Sequence, residues 1–271
     1  MHMGIALLAL AAVLPLRAGA NDMVDALAAP LRVAPAAGEE ALVRRHAIEP
    51  LDPSLDDEAR ATLRAERAEL MKTNMYHGTT TVAFRFDGGT MCCVDSRASL
   101  GNFVGSYATE KAIPVSKTTL GTMAGSAGDC TYWLRLLSAT SKLAELETGA
   151  PPSARRNAEY LAGLLSRQPE GLDLSVGTMM FDDATLTYAD NSGACLAGHL
   201  FAVGSGSPYA YSVLDAGYRA DLNVDEAADL AEKAVRTAAA RDAYSGGIVN
   251  VYFADKATGK WRRLRRLDDL P

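Results

Sequence analysis

Gly78-Thr79-Thr80-Thr81-Val82-Ala83-Phe84-Arg85-Phe86-Asp87-Gly88-Gly89-Thr90-Met91-Cys92-Cys93-Val94-Asp95 is the stretch where core-like patterning begins. Val82, Phe84 and Phe86 alternate with Thr81, Ala83 and Arg85, the period of a half-buried strand over residues 79–86. Asp87-Gly88-Gly89 is a turn signal, and residues 90–95 read as a second strand, so the pair predicts a β-hairpin. Cys92 and Cys93 are neighbours on that strand and point to opposite faces.

Downstream, residues 119–124 predict a short strand and residues 129–146 a helix with Cys130, Trp133, Leu134 and Leu137 on its apolar side. Pro151-Pro152 opens a second helix over residues 154–165. Strands follow at 175–181, 185–189 and 200–204. A helix at 224–243 is capped by Asn223 or Asp225 and carries Ala228, Leu230, Ala231, Ala234 and Val235 on its apolar side. Residues 248–254 predict a core strand and residues 260–267 a basic one. Strands and helices come in blocks, which predicts sheets packed face to face with helices outside rather than an alternating wind.

Upstream, the chain has a different character. Residues 4–16 are apolar and are followed by Ala18-Gly19-Ala20, which resembles a signal peptide with its cleavage site, although no Lys or Arg precedes the run. The run is too short to span a bilayer. Residues 21–54 are rich in Ala and Pro and read as loosely structured, and residues 56–71 predict a charged, detached or surface-lying helix. The composition boundary falls between Met71 and Thr79.

The chain has 271 residues with 27 Lys and Arg against 33 Asp and Glu, a formal net charge of −6. That length buries a sizeable core without disulfide staples. The acidic balance argues against nucleic acid as the main partner and against a polybasic membrane binder. The basic run Lys260-Trp261-Arg262-Arg263 with Arg265-Arg266 reads as a solvated or subunit-facing strand. The four cysteines, Cys92, Cys93, Cys130 and Cys195, lack zinc-ligand spacing and read as small buried hydrophobes of a reducing compartment.

Thr79 stands at the composition boundary, Asp95 sixteen residues on within Val94-Asp95-Ser96-Arg97, and Lys111 another sixteen on. Gly121-Thr122-Met123-Ala124-Gly125, Gly204-Ser205-Gly206-Ser207 and Arg241-Asp242-Ala243-Tyr244-Ser245-Gly246-Gly247 follow in order. Each is weak alone. Together, from about residue 77 to residue 263, they resemble the β subunits of the proteasome core particle, threonine proteases of the N-terminal-nucleophile hydrolase class. Met123 and the Arg-Asp-Ala-Tyr-Ser-Gly-Gly string look most like the type-five, chymotrypsin-like branch.

The resemblance implies an α+β fold, a four-layer αββα sandwich of two antiparallel sheets. It implies a propeptide at 1–78, removed by cleavage between Gly78 and Thr79, and a catalytic domain at 79–271. The apolar run near the start is then a propeptide segment. Freed Thr79 would be nucleophile and, through its own α-amine, base; such an amine has a pKa of about 7.7–8.0, close to neutral pH. Before cleavage the same nitrogen is an amide and cannot serve. Lys111 would set a cation beside the Thr79 hydroxyl, Asp95 would hold Lys111, and the Gly125 N–H would donate to the oxyanion. Ser205, Asp242 and Ser245 match positions that support the amine.

Ala98, Ser99, Thr109, Ile113, Met123 and Ala127 would line the substrate cleft. Ser99 stands where the family commonly has Thr, and Thr109 where an aliphatic residue is common. Flexible Met123 would adapt to bulky apolar side chains. The Ser99 backbone would pair with an extended substrate. No charge matches the pocket floor, so cleavage after hydrophobic residues is expected. The implied partners are other proteasome α and β subunits, in a seven-membered β ring of a four-ring barrel, and unfolded, ubiquitin-targeted proteins. No metal, organic cofactor, nucleic acid or membrane is implied, and the location would be cytoplasm and nucleus. A non-catalytic ring subunit would lack Thr79, Asp95 or Lys111. An N-terminal-nucleophile amidohydrolase acting on a small amide is the alternative enzyme.

Overall fold

The computed structural model of the chain describes residues 78–100, 103–168 and 174–267. The signal-like run, the loosely structured stretch and the charged helix expected upstream lie outside the described residues.

β1 (Thr81–Phe86) and β2 (Gly89–Val94) form the expected hairpin, with Phe86 opposite Gly89 across the Asp87-Gly88 turn. β3 (Ala98–Leu100) and β4 (Phe103–Ser106) make a small ribbon of their own. β5 (Ala112–Pro114), β6 (Leu120–Thr122) and β7 (Ala124–Gly125) precede the helices α1 (Ala127–Thr148) and α2 (Ala154–Leu165). Then come β8 (Val176–Phe181), β9 (Leu186–Asp190), β10 (Cys195–Ala197) and β11 (Leu200–Val203). α3 (Ser207–Gly217), α4 (Val224–Ala239), β12 (Val249–Asp255) and β13 (Lys260–Leu267) complete the fold.

The strands build an antiparallel five-stranded sheet ordered β11-β1-β2-β12-β13 and an antiparallel six-stranded sheet ordered β10-β9-β8-β6-β5, with β7 also on β8. Strand alternation sorts the core into three clusters. Val82, Phe84, Met91, Cys93, Val251 and Phe253 pack with Ala231, Ala234 and Val235 of α4. Ala83, Cys92, Val94 and Tyr252 meet Leu120, Met179 and Phe181 of the second sheet. Met180, Val176 and Met123 pack with Leu134 and Leu137 of α1 and Leu161 of α2. Cys92 and Cys93 thus face different clusters, as the strand period requires. Each fully buried large side chain, Phe84 for one, contributes roughly 1.5–3 kcal/mol of apolar burial.

Several boundaries differ from expectation, each for a local reason. The strand expected at 119–124 is two strands, interrupted at Met123, whose N–H donates to the Lys111 carbonyl at 2.8 Å instead of to a ladder partner. α1 starts earlier because the Ser126 hydroxyl caps it, accepting from Asp129 N–H, and it ends at left-handed Gly149. Asn223, not Asp225, caps α4, with Glu226 completing a capping box. α4 stops at Ala239 rather than 243. Past it, the Asp242 carboxylate accepts from Tyr244 N–H and the Ser245 hydroxyl, a local turn that competes with helix. Cys195 is only half-buried, unlike the other three cysteines. β3, β4, β5, β10 and α3 were not foreseen; four are three- or four-residue strands, too short for a period to show.

The basic strand β13 is a sheet edge. Arg263 pairs with Glu110 and Arg265 with Asp229 and Glu232, so part of its charge is answered within the chain. Among the described residues no helix is long and apolar enough to cross a membrane.

Candidate active site

Thr79 lies just before β1, and Asp95 just after β2, so the hairpin brings the two together without any distant contact. Asp95 N–H donates to the Thr80 carbonyl at 3.1 Å, and Thr80 N–H returns to Asp95 Oδ1 at 3.0 Å. Lys111 enters from the chain leading into β5. Its Nζ donates to Asp95 Oδ1 at 2.7 Å, to Thr79 Oγ1 at 2.9 Å and to the Gly78 carbonyl at 3.2 Å. The Thr79 hydroxyl itself donates to the Gly78 carbonyl at 2.7 Å. A hydroxyl, an ammonium and the carbonyl of one particular peptide bond are therefore in mutual contact.

Thr79, Asp95 and Lys111 are 6%, 0% and 3% exposed. Burial pushes the Lys111 ammonium down from lysine's usual range, against the pull of Asp95. Burial also pushes the Asp95 carboxyl up, opposed by Lys111 and by the N–H groups of Thr80 and Gly246. A lysine held this way gives up its proton more easily than one in water, which suits it to take a proton from the threonine hydroxyl.

A second network reaches the nitrogen of Thr79. Its peptide N–H donates to Ser205 Oγ at 3.2 Å; Ser205 donates to Asp242 Oδ2 at 2.6 Å, and Ser245 donates to the same oxygen at 2.6 Å. Ser205 is carried by the turn between β11 and α3. Gly204 in that turn has φ +104°, and a Cβ there would overlap the Thr79 carbonyl oxygen, so only glycine lets the turn approach. Gly125 has φ +113°, and a Cβ there would overlap the Ser175 carbonyl oxygen. Gly78 needs space, since a Cβ there would overlap that of Tyr244.

Beside Thr79 a cleft is lined by Ala98, Ser99, Thr109, Met123, Gly125 and Ala127. Of the expected lining residues, Ile113 is the exception. Its strand β5 packs on α1, and its side chain packs against the apolar cluster that also contains Met123, one layer behind the cleft wall.

The profile of a family described as proteasome subunit matches residues 75–254. The chain belongs to the proteasome subunit family. It is 44% identical over 198 residues to a chicken (Gallus gallus) protein named proteasome subunit beta type-5, covering 72% of this chain and 76% of that one. It is 46% identical over 179 residues to proteasome subunit beta type-5-A of Arabidopsis thaliana, 65% of each chain. It is also 41% identical over 186 residues to human (Homo sapiens) proteasome subunit beta type-8, 67% of each chain.

Two residues of this proteasome subunit carry roles that its sequence does not announce. Thr80 binds Ser245 Oγ at 2.7 Å and so joins the two networks. It shares strand parity with Val82 and Phe84, whose side faces α4 and the turn after it, the one signal that points there. Arg97 also lines the cleft, a charge where none was expected. Its Nη1 donates to the Ala243 carbonyl at 3.1 Å and its guanidinium lies 5.8 Å from the Tyr107 ring centre. Nothing in its local sequence signals that placement.

Proposed function

We propose that this chain is a catalytic β subunit of the proteasome core particle, a threonine endopeptidase that first cuts itself between Gly78 and Thr79. The observation that carries this is the Thr79 hydroxyl in contact with both Lys111 Nζ and the Gly78 carbonyl. Thr79 Oγ adds to the Gly78 carbonyl carbon while Lys111 takes the hydroxyl proton. The Gly78–Thr79 C–N bond breaks, the nitrogen gains a proton, and an ester joins Gly78 to Thr79 Oγ. Water hydrolyses the ester, releasing residues 1–78 and a free α-amine on Thr79.

That amine, next to Ser205 and Asp242, then serves as base for the same hydroxyl against substrate peptide bonds. Asp95 fixes Lys111, Ser245 steadies Asp242, and the Gly125 N–H meets the oxyanion. The three core clusters support an αββα four-layer sandwich of the N-terminal-nucleophile hydrolase kind. Ala98, Met123 and Ala127 in the cleft's lining support hydrophobic side chains on the carbonyl side of the cut bond. Neighbouring α and β subunits complete a seven-membered β ring in a four-ring barrel, whose closed chamber restricts substrates to unfolded, ubiquitin-targeted proteins. The chain works in the cytoplasm and nucleus, where its unpaired thiols stay reduced.

The test is the N-terminus of the chain in particles purified from its native source. A start at Thr79 supports the reading. A start at Asn21 means that a signal peptidase acted, favours an exported small-amide hydrolase and overturns it.

A further inference from the structure

β13 forms one edge of the first sheet and β5 one edge of the second. The two edges are tied at both ends of β5. Beyond it, the Trp261 indole N–H donates to the Ser116 carbonyl at 2.9 Å. Ahead of it, the Glu110 carboxylate accepts from Arg263 Nη1 at 3.3 Å on one oxygen and from the Tyr252 hydroxyl at 3.1 Å on the other. Glu110 directly precedes Lys111, whose chain leads into the second sheet, whereas Thr79 and Asp95 flank strands of the first.

The register shows how this contact arises. Arg265 lies opposite Val251 and Arg263 opposite Tyr252, with Leu264 the extra residue of a β-bulge between them. In a regular strand residues 263 and 265 would share a face. The bulge separates them. Arg265 reaches Asp229 and Glu232 of α4, while Arg263 turns with Tyr252 toward Glu110.

The two arms differ in weight. The Arg263 and Glu110 side chains are 41% and 58% exposed, and an exposed ion pair holds little. Tyr252 is 4% exposed, on β12 between β2 and β13, so its hydroxyl is a fixed donor to a charged acceptor, the stronger kind of bond. The neighbours of Glu110 are anchored to different sheets. Thr109 N–H donates at 3.0 Å to the carbonyl of Ser96, which follows β2, and the Lys111 carbonyl accepts at 2.8 Å from Met123, which follows β6. Glu110 is the step between, and its side chain sets the angle at which Lys111 leaves.

We propose that Glu110 is a positioning residue for Lys111: anchored by the Tyr252 hydroxyl, and secondarily by Arg263, it fixes the chain where it crosses between the sheets and so holds Lys111 Nζ against the Thr79 hydroxyl. The inference rests on the endopeptidase function proposed for the chain and adds to it a residue outside the cleft.

The test follows leader removal by mass and measures kcat and KM of assembled particles on a fluorogenic peptide. Among the residues lining the cleft are none of Glu110, Tyr252 and Arg263, so substrate binding should be spared. Tyr252→Phe, which keeps the buried ring, and Glu110→Ala should each slow leader removal and lower kcat about three- to tenfold with KM unchanged, a fraction of the roughly 10²-fold that a 1 Å displacement costs. The double variant should fall no further than either single one, because both remove the same bond. Glu110→Gln, which keeps an acceptor for the phenol, and Arg263→Ala should stay within about twofold of wild type. Tyr252→Phe carries the test alone should Glu110→Ala fail to assemble. Wild-type kcat in Tyr252→Phe, a raised KM in place of a lowered kcat, losses that multiply in the double variant, or an equal loss in Glu110→Gln overturns the positioning role. Wild-type particles that start at Thr79 yet cut no peptide overturn the endopeptidase reading instead.

Discussion

The ion pair between Lys111 and Asp95 is 2.7 Å long, and its side chains are 3% and 0% exposed. A buried pair differs from a surface one in the cost of losing one partner. The orphaned charge stays in a low-dielectric setting, at a cost of roughly 3–5 kcal/mol. Lys111→Ala and Asp95→Asn should therefore both lose stability and slow self-cleavage, the former by about 10²–10⁴ as expected for a lost proton acceptor. Mass spectrometry of particles over time should show chains retaining residues 1–78.

The pH dependence has a definite sign. Lys111 is pushed below its ordinary 10.5 by burial. Cleavage that needs the neutral amine should rise with pH to a plateau, with its midpoint below 10.5. In the window between the lowered folded value and the unfolded value, the unfolded chain holds the proton and the folded chain does not. Stability from this group thus increases as pH rises through that window. Lys111→Arg, charged throughout, should abolish the titration of the cleavage rate.

Gly78→Ala should retain the leader while leaving the fold intact. Its methyl would overlap the Cβ of Tyr244, so the scissile carbonyl must shift away from Thr79 Oγ. A displacement near 1 Å costs about 10²-fold in rate. Intact mass with a lowered thermal midpoint is the expected pair of results.

Thiol labelling of the native protein should be ordered. Burial pushes Cys130 up to about 11 and Cys92 and Cys93 higher still, leaving little thiolate at neutral pH. Cys195 is half-buried and should be alkylated first, as peptide mapping after brief exposure would report. Faster labelling of Cys130 than of Cys195 would contradict the packing under α1.

The hairpin from Thr81 to Val94, the long helices and the ordered motifs were legible because each depends on neighbours in the chain. Alternation and capping are local signals. The contact between Thr80 and Ser245 spans 165 residues and the placement of Arg97 against Ala243 spans 146, and no single segment encodes such meetings. The Thr131 hydroxyl, which donates to Met123 Sδ at 3.3 Å, is illegible for a similar reason. Sequence marks it as one more polar residue on a helix, and only the fold brings it to Met123. Ile113 is a different case: likeness to a family supplied its cleft role, and its side chain packs against the apolar cluster under α1 to which Met123 of the cleft also belongs.

Asp95 gathers four separate stretches of chain. Its two oxygens receive the N–H of Thr80, the N–H of Arg97, the N–H of Gly246 and the ammonium of Lys111. Those stretches lead into β1, follow β2, follow α4 and lead into β5. A carboxylate shared this way leaves the site no freedom to melt by itself. On heating, catalysis and tertiary structure should disappear at one temperature, and subunits warmed short of it should return to full activity on cooling.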